Sequence, residues 1–255
     1  MDFQEFVKIM EALRRECPWD REQTRESLKP YIIEEAYELV EAIDEGDPAK
    51  VKEELGDLLL QIVFQSRIAE ERGEFSVGDV VEAIGSKMVS RHPHVFDKAH
   101  FATAEEVARQ WEERKKEEGK LRESILEGVP ESMPSLLRAH RLQSRASKAG
   151  FDWRKVEDVM EKLEEELAEF REALRDRDKG RIEDELGDIF FALVNVSRFV
   201  GVNPEDALRK TISKFISRFR HIEARAAEAG LSLPDMTLEE MDRFWEEAKE
   251  RARER

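Results

Sequence analysis

Val156, Val159, Met160, Leu163, Leu167, Phe170 and Leu174 recur at i, i+3, i+4 and i+7, which is one stripe of an amphipathic helix. Patterns of this kind fill the chain. No alternating apolar–polar run of useful length interrupts them, so the pattern predicts helices and no strands. The first sixteen residues, MDFQEFVKIMEALRRE, read as a charge-mixed amphipathic helix without the apolar region of a signal peptide. Helix starts are well marked. Asp47-Pro48 and Asn203-Pro204 set an N-cap before a proline at the first helical position, and Thr103-Ala-Glu-Glu and Thr237-Leu-Glu-Glu read as capping boxes.

The paired caps reflect an internal duplication. Glu34-Glu35-Ala-Tyr-Glu38, fifteen residues, then Glu54-Leu-Gly-Asp57 recurs as Glu165-Glu166-Leu-Ala-Glu169, fifteen residues, then Glu185-Leu-Gly-Asp188. Lys87-Met-Val-Ser-Arg91 recurs as Lys214-Phe-Ile-Ser-Arg218, and Trp111-Glu-Glu-Arg-Lys115 as Trp245-Glu-Glu-Ala-Lys249. Four blocks in one order, the two acidic ones with an identical gap, exceed what helical composition produces by chance. The chain therefore reads as two homologous helical domains, residues 1–119 and 135–255, joined by a linker over 120–134 where Gly128, Pro130 and Pro134 break the pattern.

Each half offers two helices joined by a short turn, hence antiparallel neighbours, at Asp44–Pro48 and Asp176–Gly180. Each helix carries acids at i and i+3, on one face. At 100° per residue Glu166 borders the apolar stripe, Glu169 lies further round the same flank, and Glu165 points away; Glu35, Glu38 and Glu34 repeat this. On the following helix Glu185, Asp188 and Asn195 form a polar strip on an otherwise apolar surface. Gathered carboxylates repel one another, and an all-oxygen set selects a hard cation: Mg²⁺ or Mn²⁺ before Ca²⁺. A di-iron site would need Glu-x-x-His, and no histidine lies three residues after a glutamate. Lys214 and Arg218, and likewise Trp245 and Lys249, stand at i and i+4. Beside an acidic cation site they suit a metal-bound polyphosphate whose base stacks on the tryptophan.

Charge and composition refine this picture. The 255 residues carry 59 acids against 43 basic residues, a net charge of −16, which disfavours a nucleic-acid polymer or an anionic membrane as partner. A single cysteine, Cys17, fits a reducing cytoplasm, and the most apolar stretch, residues 189–196, falls far short of the ~20 residues of a membrane span.

The duplicated EExxE–spacer–ExxD pattern resembles the MazG family of nucleoside triphosphate pyrophosphohydrolases in its tandem-repeat form, as do Cys17-Pro-Trp-Asp20, Arg91-His-Pro-His-Val-Phe96 and Gly150-Phe-Asp-Trp153. The resemblance covers essentially the whole chain. It implies an all-α fold whose halves form four-helix-bundle-like units, commonly through a homodimer. It further implies Mg²⁺-dependent hydrolysis of nucleoside triphosphates between the α and β phosphates. Carried onto matching positions, Glu166, Glu169, Glu185 and Asp188 would hold metal and carry catalysis in the C-terminal half, with Lys162, Asn195, Lys214, Arg218, Trp245 and Lys249 on the nucleotide. The N-terminal half keeps Glu35, Glu38, Glu54 and Asp57 as metal ligands, but has Tyr31 in the place of Lys162 and Phe64 in the place of Asn195. Most turnover is therefore expected in the C-terminal half. The competing readings are a non-catalytic regulatory module that binds NTP–Mg²⁺ and an acidic scaffold without a ligand.

Overall fold

The computed structural model describes residues 1–97, 103, 106–107, 110 and 124–253. Among them no strand forms, and no helix is long and apolar enough to cross a membrane. The chain divides into two compact units, Met1–Leu121 and Arg122–Arg255.

In the first unit α1 (Phe3–Glu16) and the short α2 (Pro18–Glu22) precede the hairpin of α3 (Lys29–Glu45) and α4 (Pro48–Glu71); α5 (Val77–Arg91) and α6 (Pro93–Phe96) follow. The predicted cap at Asp47 accepts a hydrogen bond from the Ala49 amide, and Gly46 reverses the chain with a φ of 71°. Met10, Leu28, Val63, Phe64 and Ile68 form the core, with Phe6, Val7, Leu60 and Val77 packed against it. Half of α4 thus faces α1, while its N-terminal half runs beside α3.

The second unit repeats the hairpin. It consists of α7 (Ser135–Lys148), α8 (Val156–Asp176), α9 (Lys179–Phe199), α10 (Pro204–Glu228) and α11 (Leu238–Arg253), with a 3₁₀ turn at Leu233–Asp235. Asp178 caps α9 through the amides of Gly180 and Arg181, and Asn203 caps α10 through those of Glu205 and Asp206. The Thr237 box closes in both directions: Glu240 accepts from the Thr237 amide (2.8 Å) and Thr237 Oγ1 from the Glu240 amide (3.3 Å). At Thr103, Oγ1 accepts from the Glu106 amide at 3.2 Å.

Leu163, Ile189 and Ala192 form the core between α8 and α9, flanked by Leu167, Phe170 and Val196. Of the stripe read from the sequence, Val159 and Leu163 are buried whereas Met160 and Leu174 are exposed. The apolar arc of α8 is wider than the surface that α9 covers.

Candidate functional site

The acids on each hairpin converge as helical geometry requires. On α8 the side chain of Glu165 is 57% exposed and that of Glu166 only 7%, so one residue of rotation separates solvent from the inter-helix seam. Glu166 meets Glu185 and Asp188 of α9, each offering a carboxylate oxygen within 4.8 Å of the others. In the first unit the converging trio is Glu35, Glu38 and Glu54. The fourth acid of each set stands close by. Burial, then Glu185 and Glu166, push the Glu169 carboxyl above its ordinary pKa. Burial, then Asp57, Glu38 and Glu54, do the same to Glu35, and burial followed by Glu38 and Asp57 raises Glu54. These clusters hold more negative charge than their own surroundings relieve.

Lys162 relieves part of it in the second unit. Its ammonium lies 2.8 Å from Glu166 and 2.9 Å from Glu165, and those hydrogen bonds raise its own pKa further above the ordinary lysine range. In the first unit the corresponding Tyr31 instead packs edge-on against Trp19, ring centroids 6.3 Å apart.

Glu166, Asp188 and Lys162 also line a cavity of about 650 Å³, together with Phe151, Trp153, Phe191 and Asn195. Asp188, Phe191, Ala192 and Asn195 all come from α9 at i, i+3, i+4 and i+7, so one helical face carries the wall from the acids to the amide over ~10 Å. Two residues here, Arg198 and Gln143, escaped the sequence reading, whereas Asp152 entered it only as part of the Gly150–Trp153 motif. Arg198 grips Asp152 through both terminal nitrogens of its guanidinium and also donates twice to Asn195 Oδ1, at 3.1 and 2.8 Å. Gln143 of α7 donates to the Phe191 carbonyl at 2.8 Å, while its Oε1 is buried without a partner. The available signal for Arg198 was its place one turn beyond Asn195 on the same face.

The remaining candidates gather elsewhere. On α10 and α11 the Arg218 guanidinium sits 5.2 Å from the Trp245 ring centroid, and Phe215 packs against the same ring at 5.5 Å. Lys249 pairs with Glu246 one turn away, and Lys214 is exposed. None of Lys214, Arg218, Trp245 and Lys249 lines the cavity. Trp111 and Lys115, their counterparts in the first half, lie outside the described residues.

Two homologous all-helical units, each joining two antiparallel helices through a cluster of carboxylates, define an α-helical tandem with paired acidic sites. A family model described as the MazG nucleotide pyrophosphohydrolase domain matches the chain twice, over residues 23–96 and 154–223. The chain belongs to the MazG family. It is 48% identical over 251 residues to a Thermotoga maritima protein named nucleoside triphosphate pyrophosphohydrolase/pyrophosphatase MazG, covering 97% of this chain and 95% of that one. An Escherichia coli protein named nucleoside triphosphate pyrophosphohydrolase is 40% identical over 250 residues, 95% of each chain. The crystal structure of a mazG-related protein from Thermotoga maritima matches 44% of this chain and 98% of its own, at 27% identity and a TM-score of 0.40.

Proposed function

We propose that the protein is a Mg²⁺-dependent nucleoside triphosphate pyrophosphohydrolase that opens the bond between the α and β phosphates, and that its second unit carries most of the turnover. The activity is the one that the relatives' names state of those proteins. The observation that carries the reading is a single cavity lined by Glu166, Asp188 and Lys162 as well as by Trp153, Phe191 and Asn195. The polar residues suit a metal-bound polyphosphate, and the aromatic and amide residues suit a base.

The donor set fits a hard divalent ion. It consists of oxygens alone, three of them mutually within reach, and burial together with the neighbouring acids raises the carboxyls of Glu35, Glu54 and Glu169. Glu166, Glu169, Glu185 and Asp188 would hold the ion in the second unit; Glu35, Glu38, Glu54 and Asp57 would do so in the first. When bound, Mg²⁺ lowers the pKa of a coordinated water and offsets charge on the phosphates; Mn²⁺ supplies the same chemistry. A carboxylate of the set left free of the ion accepts the proton of the attacking water. Lys162 offers ammonium donors to a phosphate oxygen at the cavity wall. Phe64 and Tyr31 remove the amide and the ammonium from the first unit, leaving it suited to a cation and poorly suited to a nucleotide.

Lys214, Arg218, Trp245 and Lys249 also belong to the nucleotide site in this reading, although they do not line the cavity within one chain. A homodimer answers that incompleteness. Leu208, Ile212, Phe215 and Phe219 form an exposed apolar stripe along α10, and Leu186, Phe190 and Leu193 another along α9. The single cysteine fits a cytoplasmic protein.

The test is incubation with mixed nucleoside triphosphates and Mg²⁺, with products resolved by anion exchange. Monophosphate and pyrophosphate are expected, and the reaction should stop when EDTA is added. Diphosphate with orthophosphate would overturn the cleavage position, and nucleotide binding without products would favour the regulatory module. Glu169→Ala should abolish most monophosphate release and Glu38→Ala little of it; the reverse would overturn the assignment to the second unit.

A further inference from the structure

Arginine has donors and no acceptor, so a guanidinium that contacts an asparagine side chain must face its oxygen. Arg198 makes two such contacts with Asn195 Oδ1, at 3.1 and 2.8 Å. That settles which way the amide is turned: Nδ2 and its two hydrogens have no partner within the described protein and belong to a residue of the cavity wall. Arg198 is itself held. Its terminal nitrogens grip Asp152 of the loop between α7 and α8, and the arginine side chain is 15% exposed. Phe151 and Trp153 flank Asp152 in the sequence and line the same cavity. In the same wall Gln143, 8% exposed, leaves Oε1 buried and unpartnered among the described residues, a second polar atom with room for a ligand contact.

We propose that Asp152 and Arg198 are positioning residues that lock Asn195 as a hydrogen-bond donor to the nucleobase, which lodges among Trp153, Phe191 and the amide. This rests on the reading that the second unit takes a nucleoside triphosphate. The ~10 Å from Asp188 to Asn195 along α9 separates the polyphosphate end of the cavity from its base end. Asn195 and the base carry the contact, and Arg198 and Asp152 act only through Asn195.

The first unit lacks the device. Phe64 replaces Asn195 and is 2% exposed in the core, and Arg67, in the place of Arg198, pairs with Glu70 and Glu71 at 3.0 and 3.3 Å.

The test uses the full chain. Steady-state hydrolysis of a nucleoside triphosphate is compared with inhibition by inorganic tripolyphosphate, which has the phosphates and no base. Asn195→Leu, Arg198→Met and Asp152→Asn should each raise KM about tenfold with kcat within twofold, as expected for the loss of one hydrogen-bond donor to the base. The tripolyphosphate inhibition constant should not move. The double variant Asn195→Leu/Arg198→Met should be no weaker than Asn195→Leu alone, because the arginine acts through the amide. An unchanged KM, a parallel rise for tripolyphosphate, or additive losses in the double variant would each overturn the proposal. Should Arg198→Met fail to fold, Asn195→Leu and Asp152→Asn still decide it. Dissociation constants for a non-hydrolysable triphosphate analogue, measured alongside, separate the two levels. Wild-type protein that binds the analogue without hydrolysing triphosphates overturns the hydrolase reading and leaves this one to be decided by the binding constants. Wild-type protein that binds none overturns both.

Discussion

Arg177 holds a φ of 55° at the turn between α8 and α9, the place that Gly46, φ 71°, occupies in the first unit. A side chain bearing a Cβ is strained in this region and glycine is not. Arg177→Gly should therefore raise the unfolding midpoint of the second unit, by about 0.5 kcal/mol after glycine's greater unfolded-state freedom is counted, as read by chemical denaturation. Glu71 makes a different kind of prediction. Its hydrogen bonds to Arg14, at 3.1 and 2.6 Å, hold its carboxyl below the ordinary range against the opposing effect of burial. A depressed carboxyl stabilises fully above the unfolded-state value and loses that contribution as the pH falls through the folded one. Glu71→Gln should cost about 1 kcal/mol at pH 7, and the difference from wild type should vanish in acid, as checked by urea midpoints at both pH values. At this scale the sequence was legible wherever one helix decided the outcome. The rotation separating Glu165 from Glu166 follows from 100° per residue alone. Arg198 was not legible, because its partner Asp152 lies 46 residues away and only the fold brings them together.

Helices are where sequence and structure agree most fully, since caps and apolar periods act within a few residues. Asp47, Asn203 and Thr237 all cap where their neighbours predict. Thr237→Ala should loosen the start of α11 at a cost of about 1 kcal/mol, seen as a lower melting midpoint by circular dichroism. Because α11 carries Trp245, the same variant is expected to weaken triphosphate affinity. Pairings between helices were less legible. The contact of Arg218 with Trp245 joins α10 to α11, and no pattern within either helix announces it. Nor does the stripe on α8 reveal that Val159 and Leu163 are buried while Met160 stays exposed, because periodicity gives the direction of an apolar arc and not how much of it the neighbours cover.

For the molecule as a whole, duplication was legible from repeated blocks, and its asymmetry from two positions, Tyr31 and Phe64. The exposed stripe on α10 belongs to this scale too. Sedimentation of the wild-type protein at micromolar concentration should give a dimer, and Ile212→Asp, which sets a charge at a half-exposed position of that stripe, should shift it to monomer. A monomeric wild type would remove the homodimer from the reading. A homodimer was expected from the family resemblance, but the surface it would use was not legible, because an exposed apolar residue and one in the core of its own chain look identical in the sequence until the fold shows which is covered.

Phe64 gives the tandem arrangement its sense. At one position of a twofold-repeated scaffold, one copy keeps a polar side chain facing an open cavity, and the other closes the space with a ring packed among Met10, Leu28, Val63 and Ile68. An open cavity forgoes packing that a closed one gains, so Phe64 gives the first unit burial that Asn195 does not give the second. Phe64→Asn would not give the first unit the wall of the second. It would leave a void and an unmatched amide in a core now built around the ring, at a cost of about 4 kcal/mol. At this residue no single substitution makes the two halves interchangeable.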